Sequence, residues 1–375
     1  MGTDGKETKC PFWYLWQDSD QSSNRPPPVS DNDTNPSSQP VEHETKEILG
    51  ECPLGFGSSR GRGSHMGRLH CIVCRSIMYQ ASTTRCGHTY CKNCIEKFQD
   101  CPTCGADVVG VKENAAVDQA IEEFLSAHAG SIQFWDLQGD DLSRSIEKAK
   151  DAPEKPVFER MQDRATFYVQ AGMRAMSGGN GMGAAHWFGR AKEILEEGGD
   201  FYARQDFLAS LGTVYGALGD CHKAMGDTVG AMAWYQKSID TLTAATAVDV
   251  HGVEASDPFH ALSVTLNKVG EMYHRQGDVE RALDMYTKAL KVRRDRFDTC
   301  SAQDIPCERS IAMMIDIATS QAKVADAMSI CGHDGDAQKM NAETMQLVES
   351  IDISQCRSAS THAKYTRLKE YLQNA

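Results

Sequence analysis

Eight residues between positions 71 and 104 carry the clearest chemistry in this chain. They run Cys71-x2-Cys74-x11-Cys86-x-His88-x2-Cys91-x2-Cys94-x6-Cys101-x2-Cys104. Thiolate and imidazole are the donors that zinc takes in closed tetrahedral sites, four to an ion. Eight donors in four pairs therefore satisfy two zinc ions. Every coordination position is then filled by protein, which leaves no place for a water or a substrate, so the ions are structural. A module this small has little core of its own. Metal binding supplies much of its folding energy, about 10–16 kcal/mol per site in zinc-finger peptides. No catalytic constellation stands out elsewhere, and no catalytic residue is expected.

The close succession of Cys-x-His and Cys-x2-Cys is that of a RING zinc finger. A RING interleaves its pairs, so Cys71, Cys74, Cys91 and Cys94 are expected to hold one zinc, and Cys86, His88, Cys101 and Cys104 the other. Such domains commonly recruit a ubiquitin-conjugating enzyme through a shallow apolar groove. By match to the motif the groove positions are Val73, Phe98 and Pro102, all apolar. One departure counts against ligase activity. The residue after the last ligand is Gly105, where many active RING ligases carry an Arg that clamps ubiquitin to its carrier.

The elements around the zinc string are mostly helical. Asn114 can cap a helix whose apolar face is Val117, Ala120, Ile121, Phe124 and Leu125, with Gly130 as a stop. That helix is expected to pack on the zinc module. From Lys155 onward the pattern is helical with no convincing strand, and one unit recurs. The clearest copy has Leu266, Val269, Gly270, Tyr273, Gly277-Asp278, Ala282, Tyr286 and Ala289. A second has Tyr215, Leu218, Gly219, Gly226-Asp227, Ala231, Tyr235 and Ser238, and a first has Tyr168, Ala171, Gly172, Gly179, Ala184, Phe188 and Ala191. The order resembles the tetratricopeptide signature. The small residues let two helices approach, the Gly-Asp pair turns the chain, and the aromatics fill the gap to the next repeat. Tyr168, Tyr215, Leu266, Tyr273 and Tyr286 are expected inside. The copies begin about 47 and 51 residues apart against the usual ~34, so helices or loops are long. A degenerate fourth copy around Val324, Ala325, Met328 and Ala337 suits a capping repeat. The stretch Ser177-Gly178-Gly179-Asn180-Gly181 lacks the Lys-Ser/Thr of a phosphate loop and reads as a turn. Stacked helix pairs make an extended concave surface for a protein partner.

Bulk properties set the remaining bounds. The chain has 375 residues and a formal charge of -13, which disfavours nucleic acid and anionic membranes, since both reward basic surfaces. No apolar run reaches the ~20 residues needed to span a bilayer, and there is no signal-peptide pattern, so a cytoplasmic location is expected. Seven of the 14 cysteines belong to the zinc string. Cys10, Cys52, Cys221, Cys300, Cys307, Cys331 and Cys356 are scattered and read as incidental thiols. Residues 17–47, rich in Ser, Pro, Asn and Asp, cannot bury enough surface to order themselves. Two apolar islands flank them, Cys10 to Trp16 and Cys52 to Phe56, fit either to pack on this chain or to dock elsewhere. The expected plan is mostly α: a largely disordered 1–65, a RING and following helix in 66–130, a linker in 131–155, and a tetratricopeptide-like α-solenoid in 156–375.

The wording of several segments is more specific than a domain match. Phe98-Gln99-Asp100-Cys101-Pro102-Thr103-Cys104-Gly105-Ala106-Asp107 closes the RING. Leu218-Gly219-Asp220-Cys221-His222-Lys223-Ala224-Met225-Gly226-Asp227, Leu262 to Gly270 and Ala289 to Asp295 follow it. With the two N-terminal islands, these resemble the plant NO CATALASE ACTIVITY family, RING-plus-repeat chaperones of catalase, over residues 50 to 350. The resemblance implies a non-enzymatic protein that binds catalase and aids its folding or assembly, and so supports hydrogen peroxide removal. The alternative is a RING-type E3 ubiquitin ligase whose repeats select a protein substrate.

Overall fold

The computed structural model describes residues 69–132, 155–199, 205–248, 257–301 and 307–374, together with residues 146, 148 and 149. They fall into two compact units, one containing 69–132 and the other the residues from 155 onward. The expected disordered segment, its two apolar islands, and most of the 131–155 linker lie outside the described residues.

The smaller unit is built on three very short strands, β1 (Ala81–Thr83), β2 (Thr89–Cys91) and β3 (Lys112–Glu113), in the order β2-β1-β3. Both pairings are antiparallel, with Ala81 opposite Cys91 and Ser82 opposite both Tyr90 and Glu113. A single turn of helix, α1 (Lys92–Ile95), follows β2 directly. Helix α2 (Ala115–His128) begins where Asn114 accepts a hydrogen bond from Val117 N–H. It is tied to the sheet at its start. Asn114 N–H donates to the Ala81 carbonyl at 2.7 Å, and Ala81 N–H donates to the Asp118 carboxylate at 2.9 Å. Its buried residues are Ile121, Phe124 and Leu125, with Val117 and Ala120 half-buried. The helix therefore belongs to the zinc module, as its apolar face required. Gly130, at φ 89°, turns the chain after it.

The larger unit is helical: α3 (Val157–Ser177), α4 (Gly181–Glu197), α5 (Gln205–Ala224), α6 (Thr228–Ala247), α7 (Pro258–Arg275), α8 (Val279–Ser301), α9 (Cys307–Ile330), α10 (Asp334–Glu349) and α11 (Ala359–Asn374). They pack as successive antiparallel pairs, α3 with α4, α5 with α6, α7 with α8 and α9 with α10, each pair resting on the next, with α11 closing against α9 and α10. Four left-handed glycines, Gly179, Gly226, Gly277 and Gly332, at φ 72° to 82°, make the turns within the pairs. The residue after each glycine has a separate task in the first three pairs. Asn180, Asp227 and Asp278 accept hydrogen bonds from the N–H groups of Gly183, Gly230 and Arg281 and so cap the second helix. Glycine turns the chain and its polar neighbour starts the next helix. Asn180 is buried. Asn180→Ala is expected to cost about 1–2 kcal/mol, read as a lower urea midpoint with an unchanged slope.

The aromatics do more than the sequence reading assigned them. A Cβ built on Gly172, Gly219 or Gly270 would lie 2.8, 2.5 or 2.5 Å from the ring of Phe188, Tyr235 or Tyr286. Each ring thus seals its own helix pair, and only glycine allows that approach. The same rings reach the following pair: Tyr235 packs with Val269 and Met272, and Tyr286 with Ile317, Val324 and Ala327. One expectation needs correcting. Tyr273 is half-buried, because it stands near the end of α7 with Arg281 over its ring at 5.1 Å, whereas Tyr168, Tyr215, Leu266 and Tyr286 are buried. The wide repeat spacing comes from long helices, the eight paired ones running from 16 to 24 residues, and from the connections between pairs, seven residues between Glu197 and Gln205 and ten between Ala247 and Pro258. No helix among the described residues is long and apolar enough to cross a membrane.

Candidate metal centre

The structure brings the eight zinc-string residues together as two groups. Cys71, Cys74, Cys91 and Cys94 form one and Cys86, His88, Cys101 and Cys104 the other, with ligand atoms in each within 4.8 Å of one another. The pairs are interleaved. Strand β2 delivers Cys91 to the first group, and the β1–β2 turn delivers Cys86 and His88 to the second. A tetrahedral zinc with Zn–S near 2.3 Å has sulfur–sulfur edges of roughly 3.8 Å. The Cys74 and Cys91 sulfurs are 3.8 Å apart. With Zn–N near 2.0 Å, a sulfur–nitrogen edge is roughly 3.6 Å. His88 Nδ1 lies 3.4 Å from Cys86 Sγ and 3.6 Å from Cys101 Sγ. Both donor sets fit zinc, and each is able to hold one ion.

The two groups differ in environment. All four sulfur residues of the first are buried, whereas Cys86 and Cys104 of the second are exposed. Without a cation, the first four thiols share protons unequally. Hydrogen bonds from Cys74, Cys91 and Cys94 push Cys71 down, and the same bonding, with burial, pushes Cys91 up. A divalent ion removes that conflict by taking all four as thiolates. In the second group the Thr84 hydroxyl and the His88 backbone lower the Cys86 thiol to about 7, which eases its deprotonation for metal. Tyr90 adds an outer contact, its hydroxyl 3.0 Å from Cys101 Sγ and 2.6 Å from the Thr103 hydroxyl. Tyr79 N–H donates to Cys91 Sγ at 3.3 Å. Such contacts orient ligands. Tyr79, Thr84 and Tyr90 were not singled out in the sequence, where nothing distinguishes them from ordinary core and turn residues.

Two knuckles hold the first and last of the three Cys-x2-Cys pairs. Arg75 N–H donates to the Cys71 carbonyl and Gly105 N–H to the Cys101 carbonyl, both at 2.8 Å. Both residues are left-handed, Arg75 at φ 55° and Gly105 at φ 70°. A side chain in that region costs about 1–2 kcal/mol, and Arg75 bears it. Of the three groove positions, Phe98 is 41% exposed, Pro102 is exposed and Val73 is half-buried. Ile72, beside Val73, is 53% exposed.

The scattered cysteines form no further group among the described residues. Cys221, Cys300 and Cys356 are buried and Cys331 is half-buried. Burial pushes the Cys221 thiol well up, so it stays protonated and inert. Cys10, Cys52 and the Cys307 side chain lie outside the described set.

Comparison with known proteins agrees with both units. The C3HC4-type RING zinc-finger model matches residues 67–111, and a tetratricopeptide-repeat model matches residues 265–299. The chain carries a RING-type zinc-binding unit and a solenoid of tetratricopeptide-like helix pairs. Protein NCA1 of Arabidopsis thaliana is 29% identical over 319 residues, covering 84% of this chain and 74% of that protein. The postreplication repair E3 ubiquitin-protein ligase RAD18 of Candida albicans is 23% identical over 88 residues, 22% of this chain and 23% of its own. Among solved structures, BtubC (BKLC) from P. vanneervenii covers 62% of this chain and 80% of its own at 14% identity, with a TM-score of 0.40.

Proposed function

We propose that this RING and repeat protein is a non-enzymatic chaperone that binds immature catalase and raises the yield of active enzyme. The observation that carries the reading is the extent of one likeness. Similarity to Protein NCA1 runs over 84% of the chain, through the zinc unit and the repeats together. It agrees with the residues that resemble the NO CATALASE ACTIVITY family, and that resemblance supplies catalase as the partner. In this reading residues 66–130 and 156–375 act as two binding modules. Cys71, Cys74, Cys91 and Cys94 hold one structural zinc, and Cys86, His88, Cys101 and Cys104 the other.

A holder of unfinished subunits needs a broad surface and must release on completion. Affinity is therefore moderate and favours unassembled over finished catalase. Co-expression of catalase with the wild-type chain is expected to raise its activity per molecule. Cys91→Ser is expected to lose much of that effect by unfolding the zinc unit. Equal activity per molecule with and without the chain overturns the proposal.

The second reading, an E3 ubiquitin ligase, draws on the exposure of Phe98 and Pro102 beside the knuckle and on ligase relatives such as RAD18. A ligase lowers catalase abundance and needs Val73 and Phe98 to recruit a ubiquitin-conjugating enzyme. Autoubiquitination of the wild-type chain, lost on changing both residues, would favour it. Gly105→Arg makes the comparison sharper. Gly105 shares the left-handed φ that Arg75 already carries with a side chain, and a Cβ there meets no atom within 4 Å, so the substitution should fold, and under the chaperone reading catalase activation is unchanged by it.

A further inference from the structure

The fourth helix pair departs from the first three at two positions that touch each other. Seven residues before each turn glycine stands a small residue of the first helix, and nine residues after it stands the residue facing that position. In three pairs these are Gly172 with Phe188, Gly219 with Tyr235 and Gly270 with Tyr286. Around Gly332 the same count gives Ala325 and Asn341. Both have changed together. The ring that would collide with a Cβ is gone, and a Cβ is present. At these positions the structure has an open pocket of about 740 Å³, lined among others by Ala325, Ala337 and Asn341. Ala337 is the counterpart of Ala184, Ala231 and Ala282. The Asn341 Oδ1 is buried with no hydrogen-bond partner.

A second regularity says what belongs there. The residue after the glycine is acidic in the second and third pairs, Asp220 and Glu271. Each receives the ammonium group of a lysine from the following pair, Lys268 at 2.6 Å and Lys323 at 2.7 Å. The counterpart in the fourth pair is Asp326. The closing helix α11 gives it the Tyr371 hydroxyl as a donor, and no lysine lines the pocket. Asp326, Asp334 and Glu370 line it, with Arg367 as the single cation in its wall.

We propose that this pocket takes a lysine side chain from a partner protein. The aliphatic stem enters beside Asn341, at the position where the other pairs place a ring. The ammonium group stands toward Asp326 as Lys268 and Lys323 stand toward the acids before them. The assignment concerns the repeat unit's surface and does not depend on catalase being the partner.

The test uses the full zinc-loaded chain and two probes, acetyl-Gly-Lys-Gly-amide and acetyl-Gly-Gln-Gly-amide, titrated by NMR. The lysine peptide is expected to shift resonances of residues around 325–341 and 367–371 and to bind about tenfold more tightly than the glutamine peptide. Two variants check the site. Asp326→Asn keeps an acceptor for Tyr371 and should erase the preference for lysine. Ala325→Gly combined with Asn341→Tyr rebuilds the pair seen in the first three repeats; it should abolish binding and raise the Tm. Equal binding of both peptides overturns the proposal. So does absence of shifts at those residues, or lysine-peptide binding that survives both variants.

Discussion

Chelation of zinc is expected to unfold residues 69–132 while the repeat helices keep their ellipticity and their own thermal transition. Cys71, Cys74, Cys91 and Cys94 are among the most buried residues of the small unit, none more than 1% exposed. Its sheet consists of strands of two or three residues. Structural zinc contributes about 10–16 kcal/mol per site in zinc-finger peptides, as much as the whole stability of a typical domain, about 5–15 kcal/mol. The apo unit also has to bury four thiols side by side with no cation among them. The repeats have separate cores around Tyr235 and Tyr286 and contain no group of metal donors among the described residues. Metal analysis should return two zinc ions per chain. Single substitutions should divide by burial: Cys91→Ser removes a ligand from the enclosed site and unfolds the unit, whereas Cys104→Ser, at the exposed site, weakens one ion and leaves more structure. One zinc or none in properly prepared protein, or loss of repeat helicity on chelation, would sink this account.

What could be read from the sequence follows from how local each constraint is. Metal donors two residues apart must serve one ion, so the pairs are visible in a string of letters, and the RING pattern states which pairs combine. The turn glycines and their capping neighbours are equally local, and they set the repeat register. The three strands were not legible, because Ala81–Thr83 and Thr89–Cys91 are too short to show alternation. Their pairing is imposed by ligands on either side. The bond from Ala81 to Asp118 spans 37 positions and left no pattern to find. The pocket of the fourth pair was hidden for another reason: Asn341 is an absence. It acquires meaning only once three glycine–aromatic contacts have been seen and the count from Gly332 lands on it.

The glycine–aromatic contact leads to a second large effect with an unusual sign. Tyr286 is 6% exposed and packs with Ala282 and Leu290 of its own helix and with Ile317, Val324 and Ala327 of the next pair. Truncation leaves a void at the junction of two pairs. Tyr286→Ala is expected to cost about 3–5 kcal/mol, as for other large aromatic-to-alanine changes in cores. Tyr286→Phe keeps the ring and should cost less than about 1.5 kcal/mol. Gly270→Ala alone should also destabilise, by about 1–3 kcal/mol, because its Cβ would sit 2.5 Å from the Tyr286 ring. In the Tyr286→Ala background that obstruction is gone. The same Gly270→Ala change should then stabilise, by about 0.5–1 kcal/mol, from the better helix propensity of alanine. A double-mutant cycle in urea measures this sign reversal directly. Additive costs would show that ring and glycine do not share one space, and a loss below about 1 kcal/mol for Tyr286→Ala would mean that the ring is not in the core. A reversal would reproduce in the third pair the exchange already present at Ala325 and Asn341. The fourth pair's open pocket would then be the expected consequence of giving up the ring, with the added Cβ recovering part of what the ring supplied.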